Sequence, residues 1–232
     1  MGRSHGGLTL IDWDHGIGRW IEERAASEGP GHRTDDLLER FAVAQRIEQI
    51  RTPFQSYRSV LMRALRTLGE ETNFAVTEED AHASAATAST WPPFSDSVEA
   101  LAELKRQGRV LGVLSNVDND LFEGSRNLLG DPFDLVVTAE DVRSYKPALP
   151  HFHAVRERLA CCGIGEDAIL HVARSKFHDI ATANELGWTN CWIDRREGGW
   201  GRGVCLPCEA EPTWQTASMA GFLDLLDNVD SV

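Results

Sequence analysis

No apolar run in the chain approaches the roughly 18 residues that a membrane-spanning helix needs. Basic residues are scarce: 23 Lys and Arg stand against 36 Asp and Glu, a formal net charge of −13. That balance argues against a nucleic-acid partner, because affinity for phosphate backbones comes mostly from Lys and Arg. An acidic surface mainly favours solubility. The opening MGRSHGG lacks the apolar core of a signal peptide. The five cysteines, Cys161, Cys162, Cys191, Cys205 and Cys208, form an odd set that does not read as a disulfide framework. A reduced, cytoplasmic protein without membrane contact is the expectation. No tandem repeat and no long low-complexity tract is present.

What is there suits one domain, or one core with a sizeable insertion: 232 residues, of which 42% are apolar. Residues 1–7 are polar and Gly-rich and would make a poor buried strand, and the short apolar run Leu8 to Ile11 follows them. From about Ile17 to Ser84 the pattern is helical. Leu37, Leu38, Phe41, Ala44 and Ile47 recur at helix spacing, as do Val60, Leu61, Ala64, Leu65 and Leu68. Pro53 can open the second of these helices and Gly69 can close it. A layer of about four helices is expected, broken at Trp91-Pro92-Pro93-Phe94, where neither proline suits a helix interior.

Beyond that break helix and strand alternate. Asp96 is placed to cap a helix, and apolar strands are expected at Val110 to Leu114, Phe133 to Val137, Ile169 to Ala173 and Thr189 to Ile193, with a last helix from Ala217. Such alternation argues an α/β fold with a parallel sheet covered by helices on both faces. Ligands of such sheets bind beyond the carboxyl ends of the strands, and three strand ends here carry polar groups. Ser115-Asn116 could hold an anionic oxygen at a helix start, or simply cap that helix. Lys146-Pro147 could balance a carboxylate and a substrate's charge, although a lone lysine is more often a solvated surface group. The third is the polar knot Arg174-Ser175-Lys176-Phe177-His178-Asp179, inside a strand–loop–helix–strand unit running from His171 to Arg196. The three together, at successive strand ends, are far more specific than any one alone.

In that order and context the chain resembles the haloacid dehalogenase superfamily, and within it the type II, L-2-haloacid dehalogenase branch. The matching segments are TLIDWDHGI (Thr9 to Ile17), WPPFSDS (Trp91 to Ser97), VLSNVDNDLF (Val113 to Phe122), TAEDVRSYKP (Thr138 to Pro147), and HVARSKFHDI with LGWTNCWIDRR up to Arg196. The resemblance implies a Rossmann-like parallel-sheet core, residues 1–16 and 92–232, with a helical cap at residues 17–91 inserted after the first strand. It implies an aspartate that displaces halide from a small 2-haloacid, giving an ester that water cleaves. Ser115 and Asn116 match the motif that binds the substrate carboxylate, Lys146 the lysine that pairs with the nucleophile, and Asp179 the acid of the last motif. Phosphatases of the superfamily hold magnesium with two acids four residues apart in that motif. The corresponding residues here are Ser175 and Asp179, so one hard oxygen ligand is missing. The resemblance therefore implies no metal and no cofactor, with Ser175 available to the substrate, a small carboxylate as partner, and an assembly open between monomer and homodimer. Lys176 stands where the branch carries Asn, and could add charge to the site or project into solvent.

The front of the chain departs from the pattern. Aligning Thr9-Leu10-Ile11-Asp12-Trp13 places His5 in the nucleophile's position, with only four residues before it. In a rival register Leu8 to Ile11 forms the first strand and Asp12 becomes the nucleophile, with Asp14 two residues on. Three readings follow: a hydrolase with a substitute nucleophile, an inactive small-anion-binding or regulatory homologue, and a chain start displaced from an upstream strand, which would express poorly. Other features read as structural. Cys205 and Cys208 form a lone C-x-x-C without a second metal-ligating pair. His151 and His153 are taken as surface residues and Trp188 and Trp192 as core. Arg40 and Arg58 are cap arginines that usually lie on solvated faces.

Overall fold

The computed structural model describes residues 2–28, 34–72, 75–195, 197 and 206–229. Six parallel strands form one sheet among them: β1 (Gly2–Gly6), β2 (Val110–Ser115), β3 (Leu135–Thr138), β4 (Ile169–Ala173), β5 (Thr189–Ile193) and β6 (Trp214–Thr216), in the order β3-β2-β1-β4-β5-β6. The helices in chain order are α1 (Gly7–Leu10), α2 (Trp13–Glu28), α3 (Thr34–Gln49), α4 (Tyr57–Thr72), α5 (Glu78–Thr87), α6 (Ser97–Arg106), α7 (Asn119–Leu128), α8 (Ala139–Val142), α9 (Pro150–Cys161), α10 (Ala181–Glu185) and α11 (Met219–Val229). The architecture is the α/β parallel sheet expected from the alternation of elements.

The first segment corrects the sequence reading. The polar stretch expected to avoid burial is β1, at the centre of the sheet. Its residues Gly2 to Gly6 pair in register with Val110 to Leu114 on one side, and Gly2 to His5 with Ile169 to Val172 on the other. Backbone pairing on both edges satisfies its amides and carbonyls, and the apolar strands β2 and β4 both need a partner there. Tertiary context of this kind overrides intrinsic strand preference. The rival register fails for the same reason: Leu8 to Ile11 is not a strand. It turns through α1 and meets Pro93 in a single antiparallel bridge, and Leu10 and Ile11 are buried in the core.

Helices α2 to α5 form a layer beside the sheet. Val60, Leu61, Ala64, Leu65 and Leu68 of α4 are buried as their spacing predicts, and so are Leu37, Phe41 and Ala44 of α3. Ile47 is not; it is 48% exposed. Nor does Gly69 end α4, which runs through it to Thr72 with Gly69 buried. Pro53 lies ahead of α4 without opening it. The start at Tyr57 is fixed instead by Asp118, whose two carboxylate oxygens accept the amides of Tyr57 (2.7 Å) and Arg58 (2.9 Å). These are otherwise unsatisfied donors of a helix start, supplied with an acceptor from across the molecule. Trp13 joins layer to core, its ring 6.4 Å from Phe41, 5.8 Å from Tyr57 and 4.6 Å from Trp91. Asp96 stands at the start of α6 without capping it, because its carboxylate is taken by Arg195. Trp188 and Trp192 are buried, as expected. Arg196 and Cys205 lie outside the described residues, and the C-x-x-C expectation with them. Among the described residues no helix is long and apolar enough to cross a membrane.

Candidate active site at the strand ends

The ends of β2 and β4 and the loop after α8 converge on a buried ion pair. Lys146 Nζ donates to Asp179 Oδ1 at 2.6 Å and to the Leu114 carbonyl at 3.0 Å. The same Asp179 oxygen accepts from His171 Nε2 at 3.1 Å. All three side chains are buried. Burial alone would raise the Asp179 carboxyl's pKa, but the Lys146 ammonium and the His171 hydrogen bond outweigh it and hold the group well below the usual carboxylate range. Asp179 is therefore a fixed anion with a fixed counter-ion.

Each of these groups is held by local chemistry. Asn116 clamps Lys146 through the backbone, its Oδ1 accepting the Lys146 amide at 2.7 Å and its Nδ2 donating to the Lys146 carbonyl at 3.1 Å. Asp179 rides on a single π-helical turn, Lys176–Ile180, which Ser175 caps by accepting the His178 amide at 3.0 Å. Ser175 Oγ also meets His178 Nδ1 at 3.1 Å. π-turns concentrate at functional sites because they re-aim one side chain out of helical register.

A cleft of about 420 Å³, open to solvent on one side, lies in front of the pair. Ser115, Asn116, Val117, Lys146, His178 and Asp179 line its sheet side, and Trp13, Gln45, Gln49 and Tyr57 its helical side. A second, mostly apolar space of about 440 Å³ shares Trp13, Ser115 and Val117 with it and continues between Trp91, Leu121, Phe122 and Leu129. Of the residues singled out from sequence, Ser115, Asn116, Lys146 and Asp179 come together here. Ser175 does not line the cleft but supports the π-turn. Asp12 is elsewhere: it caps α2, its Oδ1 accepting the His15 amide at 3.0 Å. His5 lies on β1 opposite Val113 and Val172; its side chain is outside what is described. Lys176 is half-buried, with its Nζ 4.3 Å over the Trp192 ring. Arg40 is exposed near Glu71, and Arg58 pairs with Asp120.

His151 corrects a second expectation. It is fully buried, and its Nε2 lies 3.2 Å from the Ser115 carbonyl. A carbonyl only accepts, so that nitrogen carries the proton and Nδ1 is left unpartnered. Burial brings its pKa down to about 3, so the ring is neutral. Reasoning from sequence also missed Gln45 and Gln49. They are four apart on α3 and share a face, but nothing in their spacing says which strand end that face will meet.

The donor set does not suit a magnesium ion. Its one buried carboxylate is committed to an ammonium and an imidazole, Ser175 replaces the second acid, and no group of three or more His, Cys, Asp or Glu able to hold a metal occurs among the described residues.

The sequence profile described as haloacid dehalogenase-like hydrolase matches residues 8–193. An (S)-2-haloacid dehalogenase from Pseudomonas putida is 27% identical over 138 residues, 59% of this chain and 57% of that protein. Another, from Pseudomonas sp. (strain YL), is 29% identical over 137 residues, 58% of this chain and 55% of that protein. The matched region thus spans little more than half the length of these relatives. Among solved structures, an L-2-haloacid dehalogenase superposes with a TM-score of 0.80 at 20% identity, covering 97% of this chain and 98% of the other. The Xanthobacter autotrophicus L-2-haloacid dehalogenase with chloropropionic acid covalently bound gives 0.76 at 18% identity, over 97% and 98%. A putative hydrolase from Bacillus subtilis bound to magnesium gives 0.74 at 13% identity, over 97% and 98%. The fold is common to metal-bound and halide-releasing members, so the site has to decide between them.

Proposed function

Because the chain belongs to the haloacid dehalogenase-like hydrolase family, we propose that it is a metal-independent hydrolase of a small 2-substituted carboxylic acid, of the 2-haloacid kind, bound in the cleft between the strand ends and a helical cap. The observation that carries this is the buried Lys146–Asp179–His171 group at the cleft wall. Lys146 gives one hydrogen to the strand-end carbonyl and one to Asp179, which balances its charge, and an ammonium has a third N–H with which to meet the substrate's carboxylate. Ser115 and Asn116 stand next to it at the end of β2, where an anionic oxygen would sit.

The balanced reaction takes a 2-haloacid and water to a 2-hydroxy acid, halide and a proton. With His5 at the strand position that the branch gives to aspartate, the step differs in kind. An imidazole attacking C2 expels halide but forms a C–N bond that water does not cleave. An aspartyl ester, by contrast, is hydrolysed. Sustained turnover therefore needs water itself to displace the halide. Halide release from 2-chloropropionate by the full chain, compared with Asp179→Asn, tests the proposal. Continuous release by the wild-type chain, lost in the variant, is the expected result. Release of one equivalent with a matching mass gain on the His5 peptide would identify a stalled nucleophile. Release no greater than that of the variant would remove the enzyme reading.

The second reading is a small-anion-binding homologue on the same scaffold. His5 in place of a carboxylate favours it, since the surviving Ser115, Lys146 and Asp179 can hold an acid without turning it over. Thermal stabilisation by 2-hydroxy acids in the absence of halide release would select it.

A further inference from the structure

Among the described residues, two polar side chains of the cleft have an atom without a partner. His178 is 7% exposed and its Nε2 is unpartnered, while its Nδ1 is held by Ser175 Oγ. Gln49, at the end of α3, is also 7% exposed, and its Oε1 is unpartnered. They come from opposite sides of the cleft, one from the π-turn after β4 and one from the helical layer, and both line it. Buried polar atoms are nearly always hydrogen-bonded, so two such atoms on residues that line one cleft call for a partner, which a ligand group can supply. Neither carries charge suited to a carboxylate: Gln49 is an amide, and burial brings the His178 pKa down to about 4 and leaves the ring neutral.

We propose that His178 and Gln49 recognise a hydroxyl on C2 of the bound acid, so that this cleft takes a 2-hydroxy carboxylate in preference to acids bearing hydrogen, alkyl or halogen at that carbon. A hydroxyl both donates and accepts. It satisfies the pair unless the Gln49 amide oxygen and an unprotonated His178 Nε2 both face it, because a hydroxyl has one hydrogen to donate; with the proton on Nε2 it accepts from His178 and donates to Gln49 Oε1. A methyl group or a halogen desolvates the same two atoms and returns no comparable hydrogen bond, and sites built on such contacts reject analogues that lack them. The ligand so defined is the product of hydrolytic dehalogenation, or the resting ligand of a binding protein. This inference rests on the carboxylate-cleft reading above.

Calorimetric titration of the full chain with lactate, isobutyrate and lactamide tests both and separates them. None of the three can release halide. Isobutyrate keeps the carboxylate and replaces the hydroxyl by a methyl; lactamide keeps the hydroxyl and removes the charge. The expected result is lactate bound roughly tenfold or more tightly than isobutyrate, with the advantage abolished in Gln49→Leu and in His178→Leu. Equal affinities would overturn the inference and leave the carboxylate site standing, as would follow if a water molecule satisfied the two atoms. An advantage that survives in either variant would overturn the assignment of that residue. Binding of lactamide but of neither acid would sink the carboxylate reading and keep the hydroxyl site, and binding of none of the three would remove both. The wild-type comparison needs no variant to fold.

Discussion

His151 and His178 are neutral in the folded chain chiefly because burial disfavours the imidazolium, which brings their pKa values to about 3 and about 4. In the unfolded chain each titrates near the ordinary histidine value of about 6.5. Between those limits the unfolded state binds more protons than the folded one, so stability rises with pH across the window and falls on acidification. Each histidine contributes at most about 1.4 kcal/mol per pH unit there. Asp179, with its pKa depressed, withdraws its own contribution only once pH drops below the unfolded carboxylate range of about 3.9. Urea midpoints measured from pH 7 down to pH 4.5 are therefore expected to fall, and to fall less steeply in His151→Gln and His178→Gln; unchanged slopes in both variants would refute the assignment. At this scale much of the site was legible. Lys146 and Asp179 stood out because charged residues at strand ends are chemically conspicuous. His151, expected at the surface, is buried. It shares a helical arc with Phe152, Val155 and Leu159, all of which are buried.

Two glycines show how elements are pressed together, and their expected mutational effects have opposite signs. A Cβ at Gly124 of α7 would lie 2.1 Å from the Ser89 carbonyl oxygen and 2.8 Å from its carbon, backbone atoms that cannot rotate aside. A Cβ at Gly18 of α2 would meet only Leu38 methyls, at 3.7 and 3.9 Å. Glycine to alanine inside a helix gains up to about 1 kcal/mol, whereas overpacking costs typically 1–3 kcal/mol. Gly18→Ala is thus expected to stabilise the chain by a few tenths to about 1 kcal/mol. Gly124→Ala is expected to destabilise it by about 1 kcal/mol after the helical gain is subtracted. Equilibrium unfolding of the two variants checks this, and a stabilised Gly124→Ala would contradict the close approach of α7 to the 3-10 turn Ala88–Thr90. Elements with a strong local pattern were legible: β2, β4 and β5 are apolar runs, and α4 has a regular buried stripe. β1 and β6 were not. GRSHG and WQT carry no apolar run, and each is a strand because a neighbour's edge is there to pair with.

Across the whole molecule the α/β alternation was legible because it is written in repeated local patterns. The cleft's helical side was not, because Gln45 and Gln49 are ordinary polar residues until α3 is laid against the end of β2. The joint that ties distant segments together was equally hidden. Arg195, just past β5, is fully buried, donating to both oxygens of Asp96 at 2.8 Å and to the Thr9 carbonyl at 2.9 Å, with its guanidinium 4.1 Å over the Phe94 ring. Asp96 in turn accepts the Met219 amide at the start of α11, at 2.7 Å. The segment after β1, the entry to α6, the end of β5 and the start of α11 thus meet at one ion pair. The pair is asymmetric, since the Asp96 side chain is 16% exposed and the Arg195 side chain 0%. An arginine does not escape burial by losing its proton. Asp96→Asn therefore strands a buried cation and is expected to cost about 3–5 kcal/mol. Arg195→Met removes the buried charge, fills similar volume and leaves a carboxylate that water reaches, so its cost should be the smaller of the two. The double variant should lie closer to Arg195→Met than to the sum of the singles, because the methionine removes the charge that Asp96→Asn would strand. Urea unfolding of the three chains measures this order directly. Arg195→Met proving the more damaging would mean that the guanidinium's contacts with Thr9 and Phe94, and not its charge balance with Asp96, hold the joint.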